Sequence, residues 1–504
     1  MKNERILANA LAAIGQVTVA GIGLFVLYHY VFRQLGAELL GVWSVVFAAS
    51  TLGRLGDLGF GVGMVKFVAE SRARETPQQV AELVETSVVT VAVAAGAVLA
   101  VAFPVIDGLL GVIMRDPARV AEGRAILPLA FGATWLSAVA SVYAGSVDGT
   151  GKVYLRSLAF SVGVCVNLAL AFLLVPALGL AGLAFAQVGF SATVLVLAAA
   201  FLRSEVPGLA LVPHRWKSGI FRRMLVYGAN VQVATIVQIV SDPLIKGLLG
   251  RFGGLAATGY YEMASRMVLQ LRLLLVAANQ ALLPALVEAH LRSQEAVSQL
   301  YQRSYRLVFA AAALVFVAIA GLSPFVSRIW LGYYEPVFVW MSAILAVAWF
   351  GNSVVTPAYF MHLASGRLRW NTLSHLTIGG LAVVLGGAGG VVFGTFGVVG
   401  GWSLALLAGS LIVIVGYHRD EGERWRDAFT DGGAAVVVGS VLGAGLAVLS
   451  YTALEDSLSA VPLLTVGVAA YGILAIPAAA RHPLVRGLAA AVKEARRAGR
   501  RDGS

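Results

Sequence analysis

The sequence predicts an all-α polytopic membrane protein. Of its 504 residues, 59% are hydrophobic and 12% are charged, whereas soluble globular proteins carry about 25% charged residues. Apolar runs of about 20 residues match the length that a helix needs to cross a hydrocarbon core about 30 Å thick; examples are 86–106, 158–175 and 305–322. These runs lack the alternation of barrel strands, and only helices or closed barrels satisfy every backbone polar group in lipid.

The hydropathy pattern predicts fourteen membrane spans. Their approximate ranges are 6–31, 39–66, 84–106, 124–146, 153–175, 179–202, 223–249, 255–285, 305–330, 336–362, 369–391, 396–417, 432–452 and 461–480. Lys2 and Arg5 precede the first range, and no small-residue cleavage site follows it. We therefore interpret the first range as an uncleaved span and not as a removed signal peptide.

The distribution of the 37 Lys and Arg residues predicts that both termini are cytoplasmic. Most of these residues fall in the N-terminus, in alternate loops and in the tail after Arg481. The opposite side receives only a few, which are Arg33, Arg115, Arg119, Arg124, Arg251 and Arg328. Cytoplasmic loops carry an excess of Lys and Arg, so the net charge of +11 needs no nucleic-acid partner to explain it.

The sequence does not contain the motifs of common enzyme classes. The only cysteine, Cys165, lies within an apolar run, so there is no disulfide framework and no CxxC site. The segment 146–153 resembles a P-loop, but it has Ser146 and Val153 where that pattern needs Gly and Ser or Thr. Because the predicted outer loops are also short, we expect a protein without enzymatic activity, cofactor or metal.

The chain also repeats itself at an interval of about 215–218 residues. The similar segments are 33–43 and 251–261, 151–156 and 366–371, and 178–182 and 396–400. Repeats in the same orientation predict two pseudo-symmetric six-helix lobes, an architecture of transporters, with two helices appended. The predicted parts are an N-lobe at 1–203, a cytoplasmic linker at 204–222, a C-lobe at 223–418, the appended helices at 419–480 and a basic cytoplasmic tail at 481–504.

Charged and amide side chains inside three spans form the candidate binding site. They are Arg54 and Asp57 in the second span, Gln238, Asp242 and Lys246 in the seventh, and Glu262, Arg266, Gln270 and Arg272 in the eighth. A charge at the bilayer centre costs at least about 2.5–3.5 kcal/mol on insertion scales. These residues therefore either line a hydrophilic, anion-binding cavity between the lobes or neutralise each other in pairs along each helix. Arg54, near the middle of its span, is the strongest candidate.

The second span carries a family resemblance. Segments 35–43, 56–61 and 65–70 (LGAELLGVW, GDLGFG and VKFVAE) resemble the second-helix signature of the polysaccharide transporter family. This family comprises lipid-linked oligosaccharide flippases of the O-antigen type, within the multidrug/oligosaccharidyl-lipid/polysaccharide exporter superfamily. The resemblance implies a V-shaped bundle with a central cationic cavity, to which Arg54 would contribute. The longer arginine-rich signature of lipid II flippases is absent.

The resemblance implies a flippase that moves a polyprenyl-(pyro)phosphate-linked oligosaccharide to the outer leaflet by alternating access; such flippases are often coupled to an ion gradient, of H⁺ or Na⁺. We expect a monomer in the inner cell membrane, in contact with membrane lipid and glycan-assembly enzymes. A cation-coupled multidrug antiporter of the same superfamily is the alternative and would depend on Asp57, Asp242 and Glu262. A membrane glycan polymerase or glycosyltransferase would need an outer catalytic constellation, for which the chain offers only the acidic residues Asp107, Asp116 and Glu122.

Overall fold

A computed structural model describes residues 2–74, 76–280, 293–422 and 433–483. The elements within these ranges are helices, without strands, which confirms the predicted all-α class. Ten helical stretches in the described ranges are long and apolar enough to cross a membrane. The protein is therefore a multi-pass membrane protein, while the count of fourteen spans stays a prediction.

The chain forms two compact units, Met1–Gly259 and Tyr260–Ser504. The helices that begin in the first unit are α1 (Lys2–Ser50), a 3₁₀ helix (Thr51–Asp57), α2 (Phe60–Arg74), α3 (Pro77–Ile113), α4 (Pro117–Gly149), α5 (Val153–Leu178), α6 (Leu180–Glu205), α7 (Ser218–Phe252) and α8 (Leu255–Gln280). The second unit contains most of α8, and then α9 (Gln294–Trp330), α10 (Pro336–Val354), α11 (Thr356–Ser365), α12 (Arg369–Glu421), α13 (Gly433–Leu454) and α14 (Ala460–Ala480).

The compact units and the predicted lobes divide the chain at different places. The first unit includes α7, which packs against α1, α2 and α3, whereas the predicted N-lobe ends at residue 203. The predicted lobes describe the internal repeat and stay a prediction. Of the predicted tail at 481–504, residues 484–504 lie outside the described residues, as do residues 423–432 of the predicted appendage.

Two of the apolar stretches each contain two predicted spans. In α1 the helical path is interrupted at Gly36 (φ 78°, ψ 177°), and in α12 at Gly394 (φ 57°, ψ −132°). A positive φ is accessible to glycine at no steric penalty, so one residue suffices to end one helix and start the next. The helices α7 and α8, which carry most of the predicted site residues, are not among the ten apolar stretches.

Left-handed glycines recur at the interval of the sequence repeat. Gly179 (φ 54°, ψ −127°) and Gly394 (φ 57°, ψ −132°) share nearly the same backbone conformation. The corresponding positive-φ pairs are Gly36 and Gly254, Gly151 and Gly366, and Gly179 and Gly394. The sequence pairs align Gly179 with Gly397, three residues further along, because both positions lie in glycine-rich apolar segments. The backbone thus repeats at the same turns that the sequence pairs indicate.

Helices α2 and α4 approach each other so closely that glycine is required on both. A Cβ at Gly145 would overlap the carbonyl oxygen of Gly61, and a Cβ at Gly61 would lie 2.7 Å from Oγ of Ser141 and 3.0 Å from Oδ2 of Asp57. Small residues allow such backbone contacts between membrane helices. This contact fixes α2 beside the polar residues of α4.

The segment between α6 and α7 is held against α3 by a buried carboxylate. Glu85 is fully buried and accepts hydrogen bonds from the backbone N–H groups of Ala210 (3.1 Å), His214 (3.4 Å) and Arg215 (3.1 Å). A buried carboxylate is stable when several donors replace its water. The predicted linker is therefore a fixed part of the first unit.

In the second unit, the appended helices α13 and α14 pack against α9. The core of this contact contains Phe325, Tyr451, Leu463 and Tyr471. The Tyr471 hydroxyl donates a hydrogen bond to the carbonyl oxygen of Leu314 at 2.6 Å. This bond satisfies the polar atom of Tyr471 inside an apolar interface. The shared core shows that α13 and α14 are part of the second packed unit.

We expect Gly145→Ala to lower the thermal unfolding temperature of the purified protein, because the added methyl group forces α2 away from α4. Overpacking of this kind typically costs about 1–3 kcal/mol. Gly132→Ala is the matched control, since it lies on the same helix and its Cβ would have no neighbour within 4 Å. Both variants gain the same helix propensity, so equal unfolding temperatures for the two would contradict the close contact.

Candidate functional site

The second predicted span is not one continuous α-helix, and the break includes Arg54 and Asp57. The sequence predicts one helix over residues 39–66, but Thr51–Asp57 is a 3₁₀ helix, followed by Leu58 and Gly59 with φ of 52° and 77°. The break has a packing reason, because a Cβ at Gly56 would overlap the backbone of Ala95 on α3. In a 3₁₀ helix residues i and i+3 eclipse each other, so Arg54 and Asp57 lie on one face, as the sequence predicts.

Arg54 and Asp57 line a cavity of about 290 Å³ inside the first unit. Polar groups from the 3₁₀ helix and α4 form one part of its wall, and aromatic rings from α1, α5 and α6 form another. The lining residues that matter here are Thr51, Thr134, Ser137, Ser141, Phe47, Phe160 and Phe190. The sequence predicts that Arg54 faces a cavity shared by the two lobes. The pocket observed here belongs to the first unit alone, and a shared cavity stays a proposal.

Asp57 has a structural role at this pocket. Its Oδ1 accepts a hydrogen bond from the backbone N–H of Gly61 at 2.8 Å, and its Oδ2 accepts one from the Ser141 hydroxyl at 3.3 Å. A carboxylate at the first turn of a helix satisfies an otherwise unpaired N–H group and interacts favourably with the helix dipole. Asp57 therefore starts α2 and joins it to α4.

Arg54 differs from the other predicted cations of the site. Its side chain is exposed, and within the described ranges it makes no hydrogen bond and no ion pair. The nearby charge is that of Asp57, which it attracts without direct contact. Its five N–H donors are therefore available to a ligand in the pocket.

On α7 the predicted charges form an intrahelical pair. Nζ of Lys246 lies 2.8 Å from Oδ2 of Asp242, and the side chain of Lys246 is 3% exposed whereas that of Asp242 is 46% exposed. Gln238, one turn earlier, is exposed. The carboxylate of this pair is exposed and its ammonium group is buried. The contact agrees with the alternative in which charged residues of one helix neutralise each other in pairs.

The pair on α8 has the opposite arrangement. Nε of Arg266 lies 2.8 Å from Oε1 of Glu262, and the side chain of Glu262 is 2% exposed whereas that of Arg266 is 42% exposed. Gln270 follows at the same spacing and is half-buried. Here the carboxylate is buried and the guanidinium is presented.

Arg272, also on α8, is held by neutral groups. Its Nη2 donates a hydrogen bond to Oδ1 of Asn352 at 3.0 Å, and its guanidinium carbon lies 4.4 Å from the ring centroid of Trp349. Nδ2 of Asn352 donates in turn to Oγ of Ser410 at 3.0 Å. Among the residues that the structure describes, no carboxylate pairs with Arg272. Cation–π contact stabilises such a charge without cancelling it.

The sequence analysis did not identify the neutral polar residues at the Arg54 pocket or the amide that contacts Arg272. Thr134, Ser137 and Ser141 follow each other at three and four residues on α4, a spacing that places them on one helix face and that would have identified this wall of the pocket. Asn352 has no comparable signal, because its contact with Arg272 joins residues far apart in the chain. No group of His, Cys, Asp and Glu residues in the described ranges has the arrangement of a metal site.

Solved structures with the same fold are multidrug transporters and a flippase. A lipid II flippase MurJ in an inward closed conformation has a TM-score of 0.72 at 11% identity, over 94% of this chain and 98% of that chain. An inward-facing MATE multidrug resistance transporter of the MOP superfamily has a TM-score of 0.69 at 15% identity, over 79% and 94%. The MATE multidrug transporter DinF-BH has a TM-score of 0.59 at 17% identity, over 83% and 96%.

The sequence itself matches one family model. No curated protein that was compared matches the chain. Residues 6–290, more than half of the chain, match the family model described as polysaccharide biosynthesis protein, and this range includes every predicted site residue. The resemblance that the second span suggests is confirmed, and the chain belongs to the polysaccharide biosynthesis protein family.

Proposed function

We propose that this protein is a flippase that moves a polyprenyl-(pyro)phosphate-linked oligosaccharide from the cytoplasmic to the outer leaflet by alternating access. The observation that carries the proposal is the set of contacts made by two arginines of the predicted spans. Arg54 faces a pocket lined by hydroxyl groups and aromatic rings and has no direct partner there, and Arg272 is held by an aromatic ring and an amide. Both keep a positive charge that no carboxylate contacts within the described residues.

A phosphate group fits these arginines for a chemical reason. Guanidinium donates two parallel hydrogen bonds to phosphate oxygens, and a charged side chain inside a membrane is tolerated where it faces a polar space or an ion of opposite charge. The hydroxyl groups of Thr51, Ser137 and Ser141 supply partners for sugar hydroxyls at the same pocket. Without such partners, moving these polar groups through hydrocarbon is strongly unfavourable.

The paired residues have a secondary role in this proposal. Arg266 presents its guanidinium and Asp242 its carboxylate, while Lys246 and Glu262 are buried beneath them. Arg266 thus adds a cation to the proposed headgroup path, and Asp242 is a candidate ligand for a coupling ion, H⁺ or Na⁺. We further propose an inner-membrane location with both termini in the cytoplasm, and a monomer that contacts glycan-assembly enzymes.

We expect Arg54→Ala and Arg272→Ala each to reduce surface glycan in a deletion strain complemented with the variant. Hydrogen bonds to charged groups contribute about 1.5–3 kcal/mol, so each loss corresponds to a reduction of roughly tenfold to a hundredfold in transport. Surface glycan is measured by gel and lectin staining, and membrane protein level by immunoblot. Arg124→Ala is the matched control, because Arg124 is a half-exposed arginine paired with Asp107 at 3.0 Å.

Normal glycan export by both variants, at wild-type protein level, would refute the anion-binding mechanism. A loss of export with Arg124→Ala as well would indicate a general effect of removing an arginine. Only the combination of impaired Arg54 and Arg272 variants with an active control supports the proposal.

A cation-coupled drug antiporter is the second candidate, because the carboxylate of Asp57 lines the same pocket. Asn accepts a hydrogen bond at a helix start nearly as well as Asp, so Asp57→Asn preserves the contact with Gly61. We expect Asp57→Asn to keep glycan export, and deletion of the gene to leave drug susceptibility unchanged. Minimum inhibitory concentrations of cationic dyes and drugs provide the second measurement. Increased drug susceptibility of both the deletion and the Asp57→Asn strain would favour the antiporter.

A further inference from the structure

The segment that joins α6 to α7 exposes apolar side chains. Leu211 is 78% exposed, Val212 is 72% exposed and Trp216 is 50% exposed. Adjacent apolar side chains with this exposure are unfavourable in water. Two cations, Arg222 and Arg223, follow these apolar residues. We call residues 211–223 the linker surface.

This exposure does not arise from a loose chain. The backbone of the segment is fixed on α3 by the buried Glu85, and the N–H of Lys217 donates to Oγ1 of Thr86 at 3.3 Å. In each of these contacts a backbone N–H of the segment donates to a side chain of α3. The side chains of Leu211 and Val212 are consequently presented on an ordered backbone, in the manner of a binding surface.

The position of the linker surface along α3 places it at the membrane boundary. The indole N–H of Trp216 donates to Oγ1 of Thr90 at 3.2 Å. Thr90 lies six residues from the start of the predicted span 84–106, or about 9 Å along a helix that rises 1.5 Å per residue. Tryptophan is enriched at the membrane–water interface, where its amphipathic ring lies at the level of the headgroups.

The charges of the linker surface have one sign. No acidic residue occurs in the sequence between Glu205 and Asp242. Two cations face acidic groups on α3, since Lys217 lies 2.6 Å from Glu82 and Arg215 lies 3.9 Å from Glu85. Arg222 and Arg223 are exposed.

Two exposed arginines lie at the end of the linker surface. Arg223 lies with its guanidinium carbon 5.0 Å from the ring centroid of Phe67. Arg222 makes no hydrogen bond or ion pair within the described ranges. This end of the linker surface is therefore complementary to an anion.

We propose that the linker surface binds anionic phospholipid headgroups of the leaflet on the predicted cytoplasmic side, with Leu211 and Val212 inserted among the acyl chains. Basic residues next to a membrane attract anionic lipid by about fivefold in binding per cation, and an adjoining apolar face adds burial in the interface. An acidic protein segment would match the arginines but would leave the apolar pair without acyl chains at the depth that Trp216 indicates. The inference does not depend on the proposed flippase activity.

The test uses the full-length chain with Cys165→Ser and Leu211→Cys, labelled at position 211 with an environment-sensitive dye and placed in lipid nanodiscs. Quenching by brominated acyl chains is compared for phosphatidylglycerol and phosphatidylcholine. We expect quenching by both lipids and a selectivity for phosphatidylglycerol that falls about fivefold with Arg222→Gln and again with Arg223→Gln. Arg124→Gln, which changes an exposed arginine paired with Asp107, is the matched control and should keep the selectivity.

Two results would overturn the proposal. An unquenched dye would mean that Leu211 faces water or a protein partner and not lipid. Equal quenching by the two lipids, unchanged by the arginine variants, would mean that the segment enters the membrane without recognising charge. Size-exclusion profiles and helical circular dichroism of each variant identify misfolded protein, and the unlabelled Arg222→Gln variant provides an independent measurement through its thermal stabilisation by phosphatidylglycerol.

Discussion

An ionised side chain inside a bilayer is stable only where another group replaces the water that it has lost. The polar residues of α7 and α8, two of the predicted spans, have the partners that this constraint requires, because hydrocarbon offers neither hydrogen bonds nor screening. Lys246 and Glu262 are buried and take the opposite charge one helical turn away. Arg272 uses the face of Trp349 instead, which leaves its charge uncancelled. A cation whose partner is a carboxylate is neutralised, whereas a cation whose partner is an aromatic ring remains able to bind an anion.

Arg54 satisfies the same constraint through the shape of the backbone. The 3₁₀ helix is pressed against α3 at Gly56, and Asp57 then starts α2 through the N–H of Gly61. Beside this break lies a pocket lined by hydroxyl groups of the 3₁₀ helix and α4 and by aromatic rings of α1, α5 and α6, and Arg54 lines it without a fixed partner. A short 3₁₀ stretch within a helical path often marks a functional hinge. Here it forms the part of the pocket wall that carries Arg54, the candidate anion-binding residue.

The glycines of the chain connect the repeat to the fold. A left-handed glycine ends a helix in a single residue, so membrane helices can follow each other with almost no loop. Gly179 and Gly394 do this with nearly the same dihedral angles. At Gly61 and Gly145 the absence of a side chain serves close packing instead. Substitution of the first kind of glycine would strain a turn, and substitution of the second kind would separate two helices.

The sequence by itself determined the all-helical membrane class and the family, because apolar run length and residue spacing are properties of the local chain. It also placed Arg54 and Asp57 on one face, since a spacing of three residues does so in an α-helix and in a 3₁₀ helix alike. Only the tertiary structure decided that this span breaks, that Lys246 is buried beneath Asp242, and that Arg272 rests on Trp349. Those outcomes depend on which helices touch, and contacts between residues distant in the chain leave no periodic trace in the sequence.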